Sequence, residues 1–468
     1  MVIYIYESRG IMEKIILNKN EEYIVDIIDN GYEGEGIAKI NNFTVFIPGA
    51  IKGEKVKILI VKVNSSHAFG KILEIISASD IRNKDVDCST YKRCGGCNLR
   101  HIKYEETLNI KKSTVENLVN KNLKQEVIVK DTIGMDEPYH YRNKAQYPVG
   151  IDKEGNPITG VFANRTHEVV QIEKCMIQNE ISQDIAKYIC EFMKKHNISV
   201  YNENNQTGLI RHIMIKVGIK TNEVMCVIVI NGKEIPKEES LVKELVGKFP
   251  NIKTIVKNIN TKNTNVILGN ENINIHGDGY IYDKLGDYTF KISPLSFYQI
   301  NPIQTEKLYN IALEKAELTG NEIVVDLYCG IGTIGIFMAK KAKGIYGVEI
   351  VEQAIEDAKE NCKINNITNV KYYVGDAEKV FKELIQKENI QPDVIVVDPP
   401  RKGLDNTTIE NIIKIQPNKV IYISCNPATL MRDLVKLEDK YEIKEIQPLD
   451  MFPFSHHVES IAVLKLKS

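Results

Sequence analysis

The sequence predicts a chain of mixed α/β and β domains. A small N-terminal β-barrel covers residues 15–76, a central α+β domain 77–285, and a C-terminal Rossmann-like, doubly wound domain 286–468. Three observations carry this. Short Val- and Ile-rich segments separated by Gly-rich turns fill the first region. Strand-like runs with two helical interruptions fill the second. From residue 286 onward, strands and helices alternate without a break, which calls for a parallel sheet with right-handed crossovers. At 468 residues and 43% hydrophobic content, the chain is long enough for two or three cores.

In the first region, EYIVDIID, GIAKI, FTVFIPGA, EKVKILIVKV and FGKILEII read as five strands. Gly31, Gly34 and Gly36 are expected to shape the turn NGYEGEG, since glycine tolerates positive φ. Residues 104–123 read as a helix, with Leu108, Val115 and Leu118 apolar among charged neighbours. In the centre, GLIRHIMIKVGI, NEVMCVIVIN and KTIVKNIN read as strands, and the stretches 179–196 and 237–248 as helices. In the last region, EIVVDL, GIYGVEI, VKYYVG, PDVIVVDPP and KVIYISC are each followed by a helix. Two further strands lie near 441–449 and 460–466.

Charged residues make up 26% of the chain, which excludes wholesale disorder. No apolar run is long enough to span a bilayer, and the start lacks a cationic segment, an unbroken apolar stretch and a cleavage site. A cytoplasmic protein with no membrane association is expected, with Met12 as a second candidate translation start. The net charge of -1 carries no global signature of nucleic-acid binding. Locally, Cys88 to Lys130 holds nine Lys or Arg against four Glu. Such a stretch is a basic patch or a solvated helix face. Nine cysteines without an export signal argue against disulfides. Cys88, Cys94 and Cys97 form a C-x5-C-x2-C cluster, with Cys175 further on; this set suits zinc or an iron–sulfur cluster alike.

In an open α/β sheet, ligands bind beyond the carboxyl ends of the strands. After the first strand comes DLYCGIGTIGI, in which Gly330, Gly332 and Gly335 have dinucleotide-site spacing and bring backbone close to a ligand. Glu349 ends the next strand, 19 residues after Gly330, where an acid suits ribose hydroxyls. These features do not choose between a nicotinamide cofactor and S-adenosylmethionine. The Asp-Leu-Tyr-Cys-Gly lead-in resembles the first motif of S-adenosylmethionine-dependent methyltransferases. Asp376 follows the third strand, either facing an adenine edge or capping a helix. Asp398-Pro399-Pro400-Arg401 follows the fourth as a rigid extended loop. The fifth strand runs into Ser424-Cys425-Asn426-Pro427, placing a thiol at the carboxyl edge, although cysteines in strands are usually structural. Glu459 opens the last strand and is a candidate general base, against the blander reading of an exposed strand-end carboxylate. His456 and His457 tune the thiol, bind phosphate, or are solvated loop residues.

The set FYQIN, DLYCGIGTIG, GVE, GDAE, DPPRKG, SCNPATLMRD and HHVE resembles the RNA (uracil-5-)-methyltransferase family, most closely its 23S ribosomal RNA branch. The resemblance covers nearly the whole chain. It implies that Gln299, Tyr328, Glu349, Asp376 and Asp398 contact S-adenosylmethionine, that Cys425 is a covalent nucleophile and that Glu459 is the base. It implies that the first region, with EGEGIA, is an OB-like TRAM RNA-binding barrel, and that helix 104–123 packs on the catalytic domain. It implies that Cys88, Cys94, Cys97 and Cys175 hold a four-iron, four-sulfur cluster, with the basic stretch from Lys92 and Arg93 facing RNA. The partner is then 23S ribosomal RNA, and the enzyme acts as a monomer. A thiol is wanted because carbon 5 of uracil is too weak a nucleophile until a thiolate adds at carbon 6.

Several rivals stand beside this. The same chemistry on transfer RNA shares every active-site motif. A radical methylthio-transferring enzyme needs C-x3-C-x2-C, which is not the spacing here. A non-catalytic RNA-binding assembly factor would not need Cys425 and Glu459. Adenine and cytosine methyltransferases share D-P-P or the thiol, but in other motif settings.

Overall fold

The computed structural model describes residues 3–4, 14–15, 17–164, 166–387 and 389–468; Met12 lies outside them. The N-terminal region is a six-stranded sheet in the order Glu22–Asp26, Lys55–Val63, His67–Ser77, Phe43–Ile47, Gly36–Ile40, Asp29–Asn30. Buried and exposed residues alternate along its strands, so one face collects Val25, Ala38, Val45, Ile47, Val56, Ile58 and Ile60 into a core. The expected five strands are all present, with a two-residue sixth at the edge.

The central region is a seven-stranded sheet in which Val224–Ile230 and Ile252–Ile259 run parallel, joined by a crossover through helix α3 (Glu238–Lys248). The remaining pairs are antiparallel. Helix α2 (Glu180–Lys195) packs on the same face as α3, against Ile213, Ile215, Cys226 and Ile228. Met214, Met225, Val227 and Val256 point to the other face and join the core of the C-terminal region. That double burial explains the unbroken apolar run VMCVIVI.

The C-terminal region is an eight-stranded sheet in the order Val370–Val374, Gly344–Glu349, Ile323–Leu327, Val394–Val397, Lys419–Ser424, Glu459–Leu466, Tyr441–Leu449, Ile128–Val129. The first five strands are parallel and the Glu459–Leu466 strand is antiparallel to its neighbours. Helices α4 (Pro302–Ala316), α5 (Thr333–Ala339) and α6 (Glu352–Ile364) cover one face. Helices α7 (Ala377–Gln386), α8 (Asn406–Ile415) and α9 (Pro427–Leu437) cover the other, together with α1 (Tyr104–Asn122). Among the described residues, no helix is long and apolar enough to cross a membrane.

Three features differ from expectation. Helix α4 has no counterpart in the sequence reading, although Asn301 caps it and Pro302 opens it. The boundary at 285/286 falls in the turn of a hairpin, Ile281–Leu285 with Tyr288–Ile292. Helix α1 buries Thr107, Lys111, Val115 and Val119, so its inward face carries a lysine from what reads as a basic stretch.

That lysine organises the region. Its ammonium lies 2.5 Å from Asp450 Oδ1, both side chains almost fully buried, and donates to the Phe452 carbonyl at 3.2 Å. Burial pulls the Lys111 pKa down, and Asp450 draws it partly back. Tyr104 donates to the other Asp450 oxygen at 2.7 Å. Residues 450–458 are held further by Asn301 Nδ2 on the Met451 carbonyl (3.0 Å), and by the Leu99 N–H on the Phe454 carbonyl (2.9 Å). This loop leads directly into Glu459.

Removing one partner of a buried ion pair strands the other charge. We expect Lys111→Met to cost about 3 kcal/mol of stability, seen as a lower urea midpoint. Adding Asp450→Asn to it should recover most of the loss. An unchanged midpoint for the single variant would mean that the pair does not hold the loop.

Candidate active site

The loops at the carboxyl edge of the C-terminal sheet enclose a cleft of about 670 Å³. Gln299, Tyr328, Glu349, Asp376, Asp398, Cys425 and Glu459, the seven residues singled out in the sequence, all line it.

At one end the chain leaves strand Ile323–Leu327 through Tyr328, at φ 68°, and turns through Gly330. Glu349 grips this turn, its carboxylate accepting from the N–H groups of Gly330 (3.2 Å) and Val351 (3.0 Å). A Cβ on Gly330 would meet nothing within 4 Å, so its backbone is open on that side. Gly332 is different. At φ 80°, a Cβ there would lie 2.2 Å from the Tyr372 hydroxyl. Its smallness serves packing against Tyr372, not the approach to a ligand that the glycine pattern suggested. Asp376 caps α7 by accepting from the Glu378 N–H at 3.2 Å, and it also lines the cleft. Of the two alternatives posed for it, the helix cap is present. Gln299 sits on a loop stapled to the central sheet. Asn143 Nδ2 donates to the Gln299 carbonyl at 2.8 Å, and buried Lys216 donates to the carbonyls of Ser293 (2.7 Å) and Ser296 (2.9 Å).

At the other end lie the ionisable groups. Ser424 pairs across the sheet with Ser460, so Cys425 and Glu459 leave adjacent strands at neighbouring positions. Burial pushes Asp398 up to about 7. Burial, then repulsion from Asp398, pushes Glu459 well above the usual carboxylate range, and its Oε1 is buried without a hydrogen-bond partner. Behind them Asp326 accepts from the Gly335 N–H at 3.1 Å and is pushed up to about 8 by burial and by Asp398. Burial also pushes the Cys425 thiol up to about 11, and Glu459 and Asp398 add to this. Arg401 is the opposing cation, lowering both Cys425 and Glu459. Its guanidinium reaches His457 Nε2 at 3.1 Å, while Asn426 and Thr429 both donate to its carbonyl at 3.2 Å. A thiol, a cation and buried acids on one wall suit covalent addition and proton removal.

Cys88, Cys94, Cys97 and Cys175 line a separate cavity of about 210 Å³, with Arg100 and Arg142. Burial, then the charge of neighbouring Cys175, pushes the Cys97 thiol up to about 12. Among the described residues, no three His, Cys, Asp or Glu side chains are arranged to hold a single metal ion. The basic stretch around this cavity is only partly a surface patch. Arg100 is buried, paired with Asp87 at 2.8 Å, with its guanidinium 4.4 Å from the centre of the Phe454 ring. Lys111 is buried too, and Arg93 pairs with Glu168 at 2.7 Å.

Sequence reading missed Arg401, Asp326, Tyr309 and Phe452. Arg401 and Asp326 sat inside motifs that were read for their neighbours. Tyr309 comes from the unexpected helix α4, bonds Thr333 Oγ1 at 3.0 Å and lines the cleft, and no motif marks it.

Residues 103–467 match the tRNA (uracil-5-)-methyltransferase family, and residues 17–73 match the TRAM domain. The chain is 47% identical over 459 residues to an uncharacterized RNA methyltransferase of Clostridium acetobutylicum, covering 97% of this chain and 99% of that one. It is 45% identical over 454 residues to one from Halalkalibacterium halodurans, covering 97% and 98%. The solved structure of Pyrococcus abyssi tRNA (uracil-54, C5)-methyltransferase, in complex with S-adenosyl-L-homocysteine, superposes with a TM-score of 0.76 at 26% identity. It covers 94% of this chain and 100% of that one.

The raised thiol gives a measurable signature, because only the thiolate alkylates. Iodoacetamide labelling of Cys425, followed by peptide mass mapping, should keep accelerating above pH 9, toward about 11. Arg401→Ala removes the cation that lowers the thiol pKa, so it should slow labelling severalfold at pH 9. A plateau below pH 9 would contradict the electrostatics described.

Proposed function

The chain belongs to the tRNA (uracil-5-)-methyltransferase family and is an S-adenosylmethionine-dependent RNA methyltransferase, and from that premise we propose that it methylates carbon 5 of a uridine in 23S ribosomal RNA, through a covalent bond from Cys425 to carbon 6. The observation that carries this reading is the convergence of the seven residues on one cleft. In this reading Gln299, Tyr328, Glu349 and Asp376 would hold the cofactor at one end of the cleft, with Asp398 reaching toward it from the group of ionisable residues at the other. S-adenosylmethionine supplies the methyl group. The target base must leave its stack to reach Cys425.

The thiol passes its proton to solvent as sulfur adds to carbon 6, the ring becomes an enolate, and carbon 5 takes the methyl group, leaving S-adenosylhomocysteine. Arg401 is the cation beside the developing negative charge. Glu459 then removes the proton from carbon 5, the carbon 5–carbon 6 double bond re-forms, and the thiolate leaves. Crowding by Asp398 makes the Glu459 carboxylate a stronger base once ionised.

The four clustered thiols suit a four-iron, four-sulfur cluster in this reading. Among the described residues these thiols are not drawn together around a single ion, and they line a cavity of about 210 Å³. Arg100 and Arg142 on its wall would offset thiolate charge. The role is architectural, since Asn98 and Leu99 beside Cys97 hold the loop that leads into Glu459. The protein acts as a monomer in the cytoplasm. A second reading keeps the chemistry and moves it to transfer RNA, favoured by the likeness to the Pyrococcus abyssi enzyme.

Labelled S-adenosylmethionine with unmodified 23S ribosomal RNA should yield 5-methyluridine. Label appearing only in transfer RNA would overturn the substrate. Cys425→Ala should lower transfer by at least roughly 10³-fold without loss of cofactor affinity. Glu459→Gln should trap an RNA–protein adduct visible on denaturing gels. Cys94→Ser should drop the iron content of anaerobically purified protein, and unchanged iron would exclude that cysteine as a ligand.

A further inference from the structure

The turn of the TRAM region at residues 31–35 reaches across the molecule to the catalytic cleft. The Tyr32 hydroxyl donates to Asn426 Oδ1 at 3.5 Å, and Asn426 directly follows Cys425. The Tyr32 ring lies 5.7 Å from His456, His456 lies 4.1 Å from His457, and His457 lies 6.0 Å from Phe452. Phe452, Arg401 and Cys425 line the cleft, and Arg401 bonds the His457 ring. A row of four rings therefore runs from the TRAM turn to the cleft. Its outer member, Tyr32, is 44% exposed.

The row is rigidly held. Gly31 N–H donates to the Glu35 carbonyl at 2.7 Å, closing the turn. Gly34, at φ 85°, sits so close to Leu99 that a Cβ would meet Leu99 Cδ2 at 2.2 Å. Asn98 Nδ2 donates to the Glu33 carbonyl at 3.2 Å, and Asn98 Oδ1 accepts from the His456 N–H at 2.9 Å. The cysteine loop thus clamps the turn to the histidines.

We propose that Tyr32, backed by His456 and His457, is a stacking platform for an unpaired nucleobase next to the target uridine. This rests on the reading of the cleft as a uridine-methylating site. When a base is drawn into the cleft, its neighbour loses a stacking partner and exposes a bare π-face. An exposed aromatic ring on a rigid turn replaces that partner whatever the sequence. Phosphate is the poorer occupant. Burial pulls His457 down to about 3 and lowers His456 as well, so both rings are uncharged at neutral pH. The groups facing them are Arg401, Lys111, Glu33 and Tyr32.

The test uses full-length protein saturated with S-adenosylhomocysteine and a uridine-rich nine-nucleotide single-stranded RNA. The RNA carries 2-aminopurine on one side or the other of its central uridine. Wild type should quench the fluorophore on one side. Tyr32→Ala should abolish the quench and weaken RNA binding about tenfold, with S-adenosylhomocysteine affinity unchanged. Tyr32→Phe, which keeps the ring, should behave as wild type. Full quenching by Tyr32→Ala, or RNA bound to wild type without quenching on either side, would overturn the platform. Failure of wild type to bind the RNA or to label any cellular RNA would instead overturn the uridine reading beneath it.

Discussion

The loop at residues 450–458 depends on one buried charge, Asp450. Both of its oxygens are used, by Lys111 and by Tyr104 of α1, and its backbone N–H and carbonyl bond Ile133 and Gln304. A buried ion pair is a poor source of stability, because desolvation offsets most of the attraction. What it supplies is register. An apolar pair would tolerate a slide of α1 along the loop, whereas a charge without its partner would not. From this fixed segment the chain passes Phe452, Phe454, His456 and His457 and enters the strand that begins with Glu459. The positions of those side chains therefore follow from a helix more than 300 residues earlier in the chain.

At the carboxyl edge of the sheet the electrostatics run against ionisation. Asp326, Asp398 and Glu459 all have raised pKa values, and Arg401 is the cation that opposes them at the thiol. This edge therefore carries less negative charge at rest than Asp326, Asp398 and Glu459 suggest. A thiol held up at about 11 is largely protonated at neutral pH, so it is protected from adventitious reaction until something lowers its pKa. Any positively charged ligand seated near Asp398 would act in that direction, since it would relieve the repulsion that Asp398 exerts on both Glu459 and Cys425.

Features bound to a local pattern were legible in the sequence. The strand ends carrying Tyr328, Glu349, Asp376, Asp398 and Cys425 follow from alternation of strand and helix, because in a parallel sheet every such end faces one edge. Features set by distant contacts were not. Lys111 reads as one more cation in a basic stretch, yet it is buried because Asp450, 339 residues away, faces it. Arg100 is hidden for the same kind of reason, enclosed by Asp87 and Phe454. The two residues Ile128–Val129 add a strand to a sheet whose other members start at residue 323, and a pair of residues shows no periodicity. Gly332 was legible as a glycine but not in its purpose, because Tyr372 comes from a strand two places away in the sheet.

The junction of three loops changes what the separate domains mean. The turn at residues 31–35, the cysteine loop through Asn98 and Leu99, and the segment 450–458 touch one another through the Asn98 side-chain amide, one backbone hydrogen bond and one tightly packed glycine. Three elements fixed to each other at one point cannot move independently over distances comparable to a base. A small domain appended merely to raise affinity would not need its turn packed against the loop beside Cys425. The tight fit of Gly34 on Leu99, with the Tyr32 hydroxyl on Asn426, argues that the N-terminal domain is fixed beside the rim of the cleft. On that argument the cysteine loop is the wedge that holds the two together, which explains why a structural knot far from the thiol in sequence is built where the two domains meet.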